Sequence, residues 1–456
     1  MLHPEKNQRP KAVLVGLQLP TVSEEEHMAS LAELGRLAHT LGFATLTTLS
    51  QRRASPVAST VVGEGKLEEL AKLTGGTGIV ASAAPGSRRK EELEEEEEPE
   101  ETPDLGAEKA TIVIFDEELT PNQLRNLESA TGAEVLDRTG VIIEIFHRHA
   151  KTRQAKIQVE IARLRYLAPR LRMSRVGQDR QGGGLGNKGA GETAHELDKR
   201  RIRDRIAELK RELADIQTTD TDRRSRRKEQ STVALVGYTN AGKSSLMRAL
   251  TDSEIYVEDK LFATLDTTVR AMQPEAIPRI LISDTVGFIK KLPHDLVASF
   301  RSTLDEASDA SLLLYVVDAS DPTFRAQLEV TRAVLSELSL DATDSLLILN
   351  KVDRLDAEAI QALLREFPHS LALSAQRKED IARLREIILT HFEKDMIEAD
   401  LLISYEEGKQ LGEIRKTMRV LGETHTDEGT ILTVRTHPDT LSSYRKSNSK
   451  SQSPFF

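Results

Sequence analysis

The chain has 456 residues and a formal net charge of -10, and this length predicts several domains because it exceeds what one hydrophobic core supports. It contains no Cys, which excludes a disulfide framework and a thiolate metal site and favours a reducing, cytoplasmic location. The sequence shows neither a signal peptide nor an apolar run of the ~18 residues that cross a membrane, so we expect a soluble protein, which we take to be a monomer.

The N-terminal part, which we place at 1–146, alternates between strand and helix patterns. The patterns lie at 11–17 (strand), 30–41 (helix), 43–49 (strand), 110–115 (strand) and 121–130 (helix), followed by apolar runs at 134–136 and 141–146. This alternation predicts an α/β domain with a parallel sheet flanked by helices.

Two short segments interrupt this alternation. The stretch at 83–107 is rich in Pro, Gly and Glu, and carries ten acidic residues and no basic one from Glu91 to Asp104, so we expect a disordered surface insertion. The stretch Gly63-Glu-Gly-Lys66 is too short for a phosphate loop, and a loop that starts a helix is the favoured interpretation. An ATP site in this N-terminal domain is the alternative.

The segment at 147–229 shows only helical patterning and is basic, with 23 Lys and Arg against 12 Asp and Glu from Arg148 to Glu229. Apolar residues recur at spacings of three and four in two runs. They are Ile157, Ile161, Leu164 and Ala168, then Ile202, Ile206, Leu209, Leu213 and Ile216. Two such seams are best buried against each other, which predicts a long antiparallel helical hairpin with the glycine-rich loop at 181–191 as its tip.

The predicted tip is a candidate RNA-contacting site, because glycines let the backbone approach phosphates and the nearby charges are basic. The candidate residues are Arg172, Arg175, Arg180, Lys188, Gly189 and Gly191. A mobile linker with incidental charges explains these residues equally well.

From 230 to 397 the chain alternates cleanly between strands and helices, which predicts a doubly wound α/β domain. The strand patterns lie at 280–283, 312–318, 346–350 and 371–374, and the helical patterns at 294–307, 322–338, 357–367 and 378–392. Strand patterns at 401–404 and 430–434 around a helix predict a small α+β domain at 398–456, which ends in a disordered tail from 442.

The stretch Gly237-Tyr-Thr-Asn-Ala-Gly-Lys-Ser244 fits the phosphate-loop pattern GxxxxGK[ST] between a strand and a helix. Its glycines let backbone amides approach phosphate oxygens, Lys243 supplies a positive charge, and Ser244 offers a hydroxyl to Mg²⁺. The sequence therefore predicts a nucleoside triphosphate site. The residues assigned to it are Gly237, Asn240, Ala241, Gly242, Lys243, Ser244 and Ser245.

Together with three later motifs, this loop resembles the GTPase signature. The motifs are Asp284-Thr-Val-Gly-Phe288, Asn350-Lys-Val-Asp353 and Ser374-Ala-Gln376. The resemblance implies that Asp353 accepts hydrogen bonds from the guanine N1 and exocyclic amine, a pair of donors that adenine lacks. It also implies that Asn350 braces the pocket, that Lys351 lies along the base, and that the backbone of Ser374 and Ala375 contacts the oxygen at position six. GTP and GDP are the expected ligands.

The same resemblance implies catalytic roles. Asp284 would hold Mg²⁺ through water, the Gly287 amide would meet the γ-phosphate, and Thr264 would close over Mg²⁺, with Thr267 and Thr268 as alternatives. Many GTPases carry a water-orienting Gln where this chain has Phe288, so we expect slow hydrolysis that a partner stimulates. The alternative is that Phe288 is a core residue of a nucleotide binder that does not hydrolyse.

Nearly the whole chain resembles the HflX family of GTPases. The residues that carry the resemblance include Ile142-Ile-Glu-Ile-Phe-His-Arg-His-Ala150, Pro169-Arg-Leu171, Gly189-Ala-Gly-Glu-Thr193 and Phe262-Ala-Thr-Leu-Asp266. The resemblance implies a GTPase that binds the large ribosomal subunit and its rRNA and that splits or rescues stalled or idle ribosomes. Two alternatives are an ATP-dependent RNA-remodelling protein with a regulatory G domain, and an RNA-binding adaptor insensitive to nucleotide.

Overall fold

Three sheets organise the part of the chain that the computed structural model describes. The described residues are 9–80, 109–174, 194–225, 231–252, 261–262, 268–277, 279–291, 309–337, 343–394, 396–405, 408–427 and 429–449. They divide into two compact units, one reaching Asp215 and the other starting at Ile216. The finer division into four domains stays a prediction.

The first sheet is parallel throughout, with strand order β2-β1-β3-β4. Its strands are β1 (Lys11–Gln18), β2 (Ala44–Arg52), β3 (Ile112–Phe115) and β4 (Glu134–Asp137), and its helices are α1 (Glu24–Thr40), α2 (Glu64–Thr74), α3 (Pro121–Thr131) and α4 (Arg138–His149). The central strands β1 and β3 are almost wholly buried, as expected for a parallel sheet covered by helices. The predicted parallel α/β fold is therefore confirmed.

The apolar run at 141–146 forms the middle of α4. The Asp137 carboxylate, at the end of β4, caps this helix by accepting a hydrogen bond from the Gly140 amide at 2.7 Å. Val141, Ile142 and Ile145 are fully buried. A short apolar run that is buried on all sides has no clear periodicity, so the cap at Asp137 is what identifies it as a helix.

The predicted helical hairpin is formed by α5 (Arg153–Ser174) and α6 (Ala194–Ser225). Arg153 pairs with Glu212 at 2.6 Å, and Arg205 pairs with Glu160 at 3.1 Å. Since the later residue on α5 pairs with the earlier residue on α6, the two helices are antiparallel.

Helix α5 is tied to the first sheet through the fully buried carboxylate of Asp137. Tyr166 Oη donates to this carboxylate at 2.6 Å, Arg170 donates at 2.7 Å, and the Leu119 amide donates at 3.1 Å. The Arg170 guanidinium also lies over the Tyr166 ring, 3.4 Å from the ring centroid. Burial and the neighbouring Asp137 charge raise the pKa of Tyr166 above its usual range. The phenol therefore stays protonated and donates to Asp137.

The second sheet has the order β10-β9-β8-β5-β7-β6 and is parallel except for β6, which runs antiparallel to β7. Its strands are β5 (Ser231–Gly237), β6 (Thr268–Ala271), β7 (Ile280–Asp284), β8 (Leu312–Asp318), β9 (Ser345–Asn350) and β10 (Ser370–Ala372). The helices among its described residues are α7 (Lys243–Thr251), α8 (Phe324–Glu337), α9 (Ala357–Glu366) and α10 (Lys378–Glu393). This doubly wound architecture agrees with the prediction.

The third sheet is antiparallel, with order β11-β13-β12, and carries two helices. Its elements are β11 (Ile397–Ile403), α11 (Gly408–Thr417), β12 (Arg419–Thr426), β13 (Gly429–Thr436) and α12 (Pro438–Ser449). The expected disorder from 442 is wrong as far as Ser449, because that stretch lies in α12. Tyr444 on this helix donates to Gln410 on α11 at 2.8 Å.

Three predicted features lie outside the described residues: the acidic insertion at 83–107, the glycine-rich loop at 181–191, and the helix expected at 294–307. Among the residues that are described, no helix combines the length and apolar content needed to cross a bilayer.

Candidate nucleotide-binding site

The phosphate loop joins β5 to α7, as the sequence predicts. Gly242 precedes the first helical residue and has a φ of 97°, in the left-handed region that favours glycine. A Cβ atom at this position would lie 2.2 Å from Asn350 Nδ2, so a side chain would displace Asn350. The loop amides and the N-terminus of α7 form a binding place for an anion at the carboxyl end of the sheet.

Lys243 is buried within this loop. Its Nζ donates to the carbonyl oxygens of Gly237 at 3.0 Å and Tyr238 at 2.8 Å. Burial lowers the pKa of Lys243 to about 8, and the Asp284 carboxylate opposes this shift. The ammonium is therefore mostly charged at neutral pH and suited to a phosphate.

Ser244 and Asp284 meet beside the loop. Ser244 Oγ donates to Asp284 Oδ2 at 2.7 Å, which brings together a hydroxyl and a carboxylate oxygen from different elements. Such oxygen atoms are the ligands that Mg²⁺ prefers. The pair fits the proposed roles, in which Ser244 would bind Mg²⁺ directly and Asp284 through water.

The base-recognition motifs lie together at the ends of β9 and β10. Asn350 donates to the Ala241 carbonyl at 2.8 Å and accepts from the Ala375 amide at 3.2 Å, so it links the phosphate loop to the Ser-Ala-Gln motif. Lys351 Nζ donates to the Asn240 carbonyl at 2.7 Å.

Asp353 is the exposed carboxylate of this group. A hydrogen bond from the Ser374 side chain is the main cause that lowers the pKa of Asp353, so the group is ionised at neutral pH. An exposed, ionised acceptor beside Asn350 and Lys351 has the chemistry that the guanine-recognition hypothesis requires.

Sequence reasoning missed two carboxylates that hold this arrangement. Asp318 pairs with Lys351 at 2.7 Å, and Asp380 accepts from the Ser374 amide at 2.9 Å. Asp318 ends β8, next to the strand that ends at Asn350, so its place at the ligand-binding edge was the available signal.

Several predicted residues cannot be placed. Thr264 and Thr267 lie outside the described residues, whereas Thr268 begins β6. Arg175, Arg180, Lys188, Gly189 and Gly191 are also outside them, and for Arg172 only its place in α5 is described.

The Gly63-Glu-Gly-Lys66 stretch starts a helix, as favoured from the sequence. Gly63 is the N-cap of α2, and Lys66 pairs with Glu69 at 2.9 Å. An ATP site in the N-terminal domain stays a prediction.

Models of three protein families match successive parts of the chain. The model described as GTP-binding GTPase N-terminal matches residues 28–84 and 86–147, and the model described as GTP-binding GTPase Middle Region matches 149–227. The model described as 50S ribosome-binding GTPase matches 232–351.

Individual proteins match over most of their length. A GTPase HflX of Gluconacetobacter diazotrophicus is 57% identical over 444 residues, which cover 96% of this chain and 98% of that protein. The GTPase HflX of Escherichia coli is 34% identical over 425 residues, covering 92% of each chain. A crystal structure of a Sulfolobus solfataricus GTP-binding protein with GDP covers 84% of this chain and 99% of that one, with 22% identity and a TM-score of 0.42. The near full-length matches to GTPase HflX proteins, together with the three family models, show that the chain belongs to the HflX family of GTPases and hydrolyses GTP.

Proposed function

We propose that this GTPase binds the large ribosomal subunit and its rRNA, splits or rescues stalled or idle ribosomes, and uses its nucleotide state to set its affinity for the subunit. The observation that carries the proposal is the match of residues 232–351 to the model described as 50S ribosome-binding GTPase. The location would then be the cytoplasm.

The charge of the helical hairpin supports an RNA partner. Arg163 on α5 and Arg200, Lys210 and Arg211 on α6 are exposed, in a segment whose net charge is opposite to that of the whole chain. Basic side chains that neutralise phosphates release counterions, which gives affinity for a nucleic acid without sequence specificity.

The side chain at position 288 supports the proposal that a partner stimulates GTP hydrolysis. Phe288 is 3% exposed and has no group that could orient a water molecule. The apolar ring is held by packing, so hydrolysis by the free protein should be slow. The subunit would then complete or reshape the catalytic site.

The proposal is tested with the full chain and purified ribosomal subunits at one stated salt concentration. GTP turnover should rise on addition of large subunits and not of small subunits. The chain should cosediment with large subunits more strongly with a non-hydrolysable GTP analogue than with GDP. Equal cosedimentation in both nucleotide states would support the RNA-binding adaptor, and absence of both stimulation and cosedimentation would overturn the proposal.

A further inference from the structure

The segment that follows the Asp-Thr-Val-Gly motif lies along the phosphate loop. The Phe288 amide donates to the Gly237 carbonyl at 3.1 Å, and the Thr239 amide donates to the Phe288 carbonyl at 2.8 Å. These two bonds form an isolated parallel β-bridge between Tyr238 and Phe288, beyond the last regular pair of β5 and β7. The phosphate loop and the segment after the Asp-Thr-Val-Gly motif are thus joined to each other directly.

A side chain adds a third tie between these segments. Tyr238 Oη accepts a hydrogen bond from the Lys290 amide at 2.6 Å. Tyr238 is 3% exposed, so this bond is shielded from water, and water cannot replace it if it is lost. The backbone of Tyr238 therefore pairs with Phe288, while its hydroxyl holds the chain two residues further on.

Gly287 comes directly before the segment that these three hydrogen bonds hold, and it lies against the phosphate loop. A Cβ atom at Gly287 would lie 2.8 Å from Thr239 Cα and 3.0 Å from Lys243 Nζ. The Gly287 backbone is therefore adjacent to Lys243, the lysine expected to bind the phosphates. Because Gly287 has no side chain to fix it, the direction of its amide depends on how the residues after it are held.

We infer that Tyr238 is a positioning residue for the third phosphate of GTP. Its hydroxyl holds the Lys290 amide, this bond fixes the course of the chain from Gly287 to Lys290, and the fixed course directs the Gly287 amide towards the γ-phosphate. GDP lacks that phosphate, so its affinity does not depend on this bond. Tyr238 thereby contributes to the preference for GTP over GDP and to the rate of hydrolysis.

The test compares wild type with Tyr238→Phe, which keeps the buried ring and removes the hydroxyl. The affinity for a non-hydrolysable GTP analogue should fall about three- to tenfold, as expected for one shielded hydrogen bond, and the affinity for GDP should stay within about twofold. Single-turnover GTP hydrolysis at saturating nucleotide should slow as well. An unchanged ratio of the two affinities, whether neither affinity falls or both fall equally, would overturn the inference.

Two further variants separate positioning from a general loss of packing. Tyr444→Phe also removes a phenolic hydrogen bond, of 2.8 Å to Gln410, but in the third sheet's domain, and it should leave both affinities unchanged. Lys290→Pro removes the donor amide instead of the acceptor. Its effect and that of Tyr238→Phe should not add in the double variant, because both break the same bond. Additive losses in a folded double variant would contradict the assignment.

Discussion

At the scale of single residues, the guanine hypothesis depends on one carboxylate, which must be ionised and must accept hydrogen bonds from the base. Asp353 is an ionised acceptor, and guanine offers it two donors. Asp353→Asn replaces one acceptor oxygen by a donor amide, so GTP affinity should fall at least a hundredfold, whereas xanthosine triphosphate, which presents an acceptor in place of the exocyclic amine, should bind better than GTP. Competition of GTP and xanthosine triphosphate against labelled GDP measures this. If Asp353→Asn keeps wild-type preference for GTP, then Asp353 does not contact the base.

The affinity of the site for a nucleotide should depend on pH through Lys243. Its pKa of about 8 lies below that of an ordinary lysine, so the free protein loses this charge as the pH rises through 8. Binding of phosphates favours the charged form, and GDP should therefore bind about fourfold more weakly at pH 8.5 than at pH 7. Isothermal titration at both values checks the sign. An increase in affinity over this interval would show that Lys243 is not the titrating group.

The same lysine affects folding with the opposite sign. Below pH 8 the folded protein holds Lys243 as a buried charge, which lowers the free energy of unfolding. As the pH rises from about 8 towards the pKa of the unfolded chain, the buried lysine loses its proton and this penalty is relieved. Lys243 itself thus contributes increasing stability over that range, while phosphate binding weakens.

At the scale of elements, the Asp137 contacts help to hold α5 against the first sheet, together with the buried apolar side chains of α5. Asp137→Asn removes the negative charge that Arg170 faces, where Arg170 is itself only 12% exposed. Breaking such a buried pair should lower the free energy of unfolding by about 3–5 kcal/mol. Urea unfolding followed by circular dichroism measures the change. The control is Asp356→Asn, which alters an exposed N-cap of α9 in the other unit and should leave the unfolding of the first unit unchanged.

The predicted tip of the hairpin can be tested by charge reversal. Arg172→Glu with Lys188→Glu should weaken binding to large subunits and reduce the slope of log affinity against log salt by about 1.5, because about two phosphate contacts are lost. The control reverses two exposed charges on α8 and α9, Arg332→Glu with Arg365→Glu, and should leave the slope unchanged. Equal slopes for both double variants would show that the tip makes no contact with the rRNA phosphates.

Elements with clear periodicity or with a motif could be predicted from the sequence. The parallel strands of the second sheet were found because buried parallel strands are continuous apolar runs, and the hairpin was found from its spaced seam. The antiparallel edge strand β6 was missed, because its four residues are only partly buried. Strand β12 was missed because it is mostly exposed and polar, with Gly422 at an irregular pairing. The contacts of Tyr238 and Asp318 depend on which segments the fold brings together, and no local pattern encodes that.

At the scale of the whole molecule, two units with separate cores should respond separately to nucleotide. GDP at about 100 times its Kd should stabilise the unit that holds the phosphate loop by about 2.7 kcal/mol. Hydrogen exchange should then slow in β5, α7 and β9 and stay unchanged in β1 to β4. Calorimetry should show one transition that moves with GDP and one that does not. A shift of both transitions by the same amount would show that the two units unfold together.

The paired arms of the hairpin limit how the length of this chain can change. Glu160 lies seven positions after Arg153 on one helix, and Glu212 lies seven positions after Arg205 on the other. An insertion of one residue between the pairs on a single arm would rotate everything beyond it by about 100° and move one of the two ion-pair residues away from its partner. Relatives with longer or shorter arms are therefore expected to carry matched changes of whole heptads on both helices.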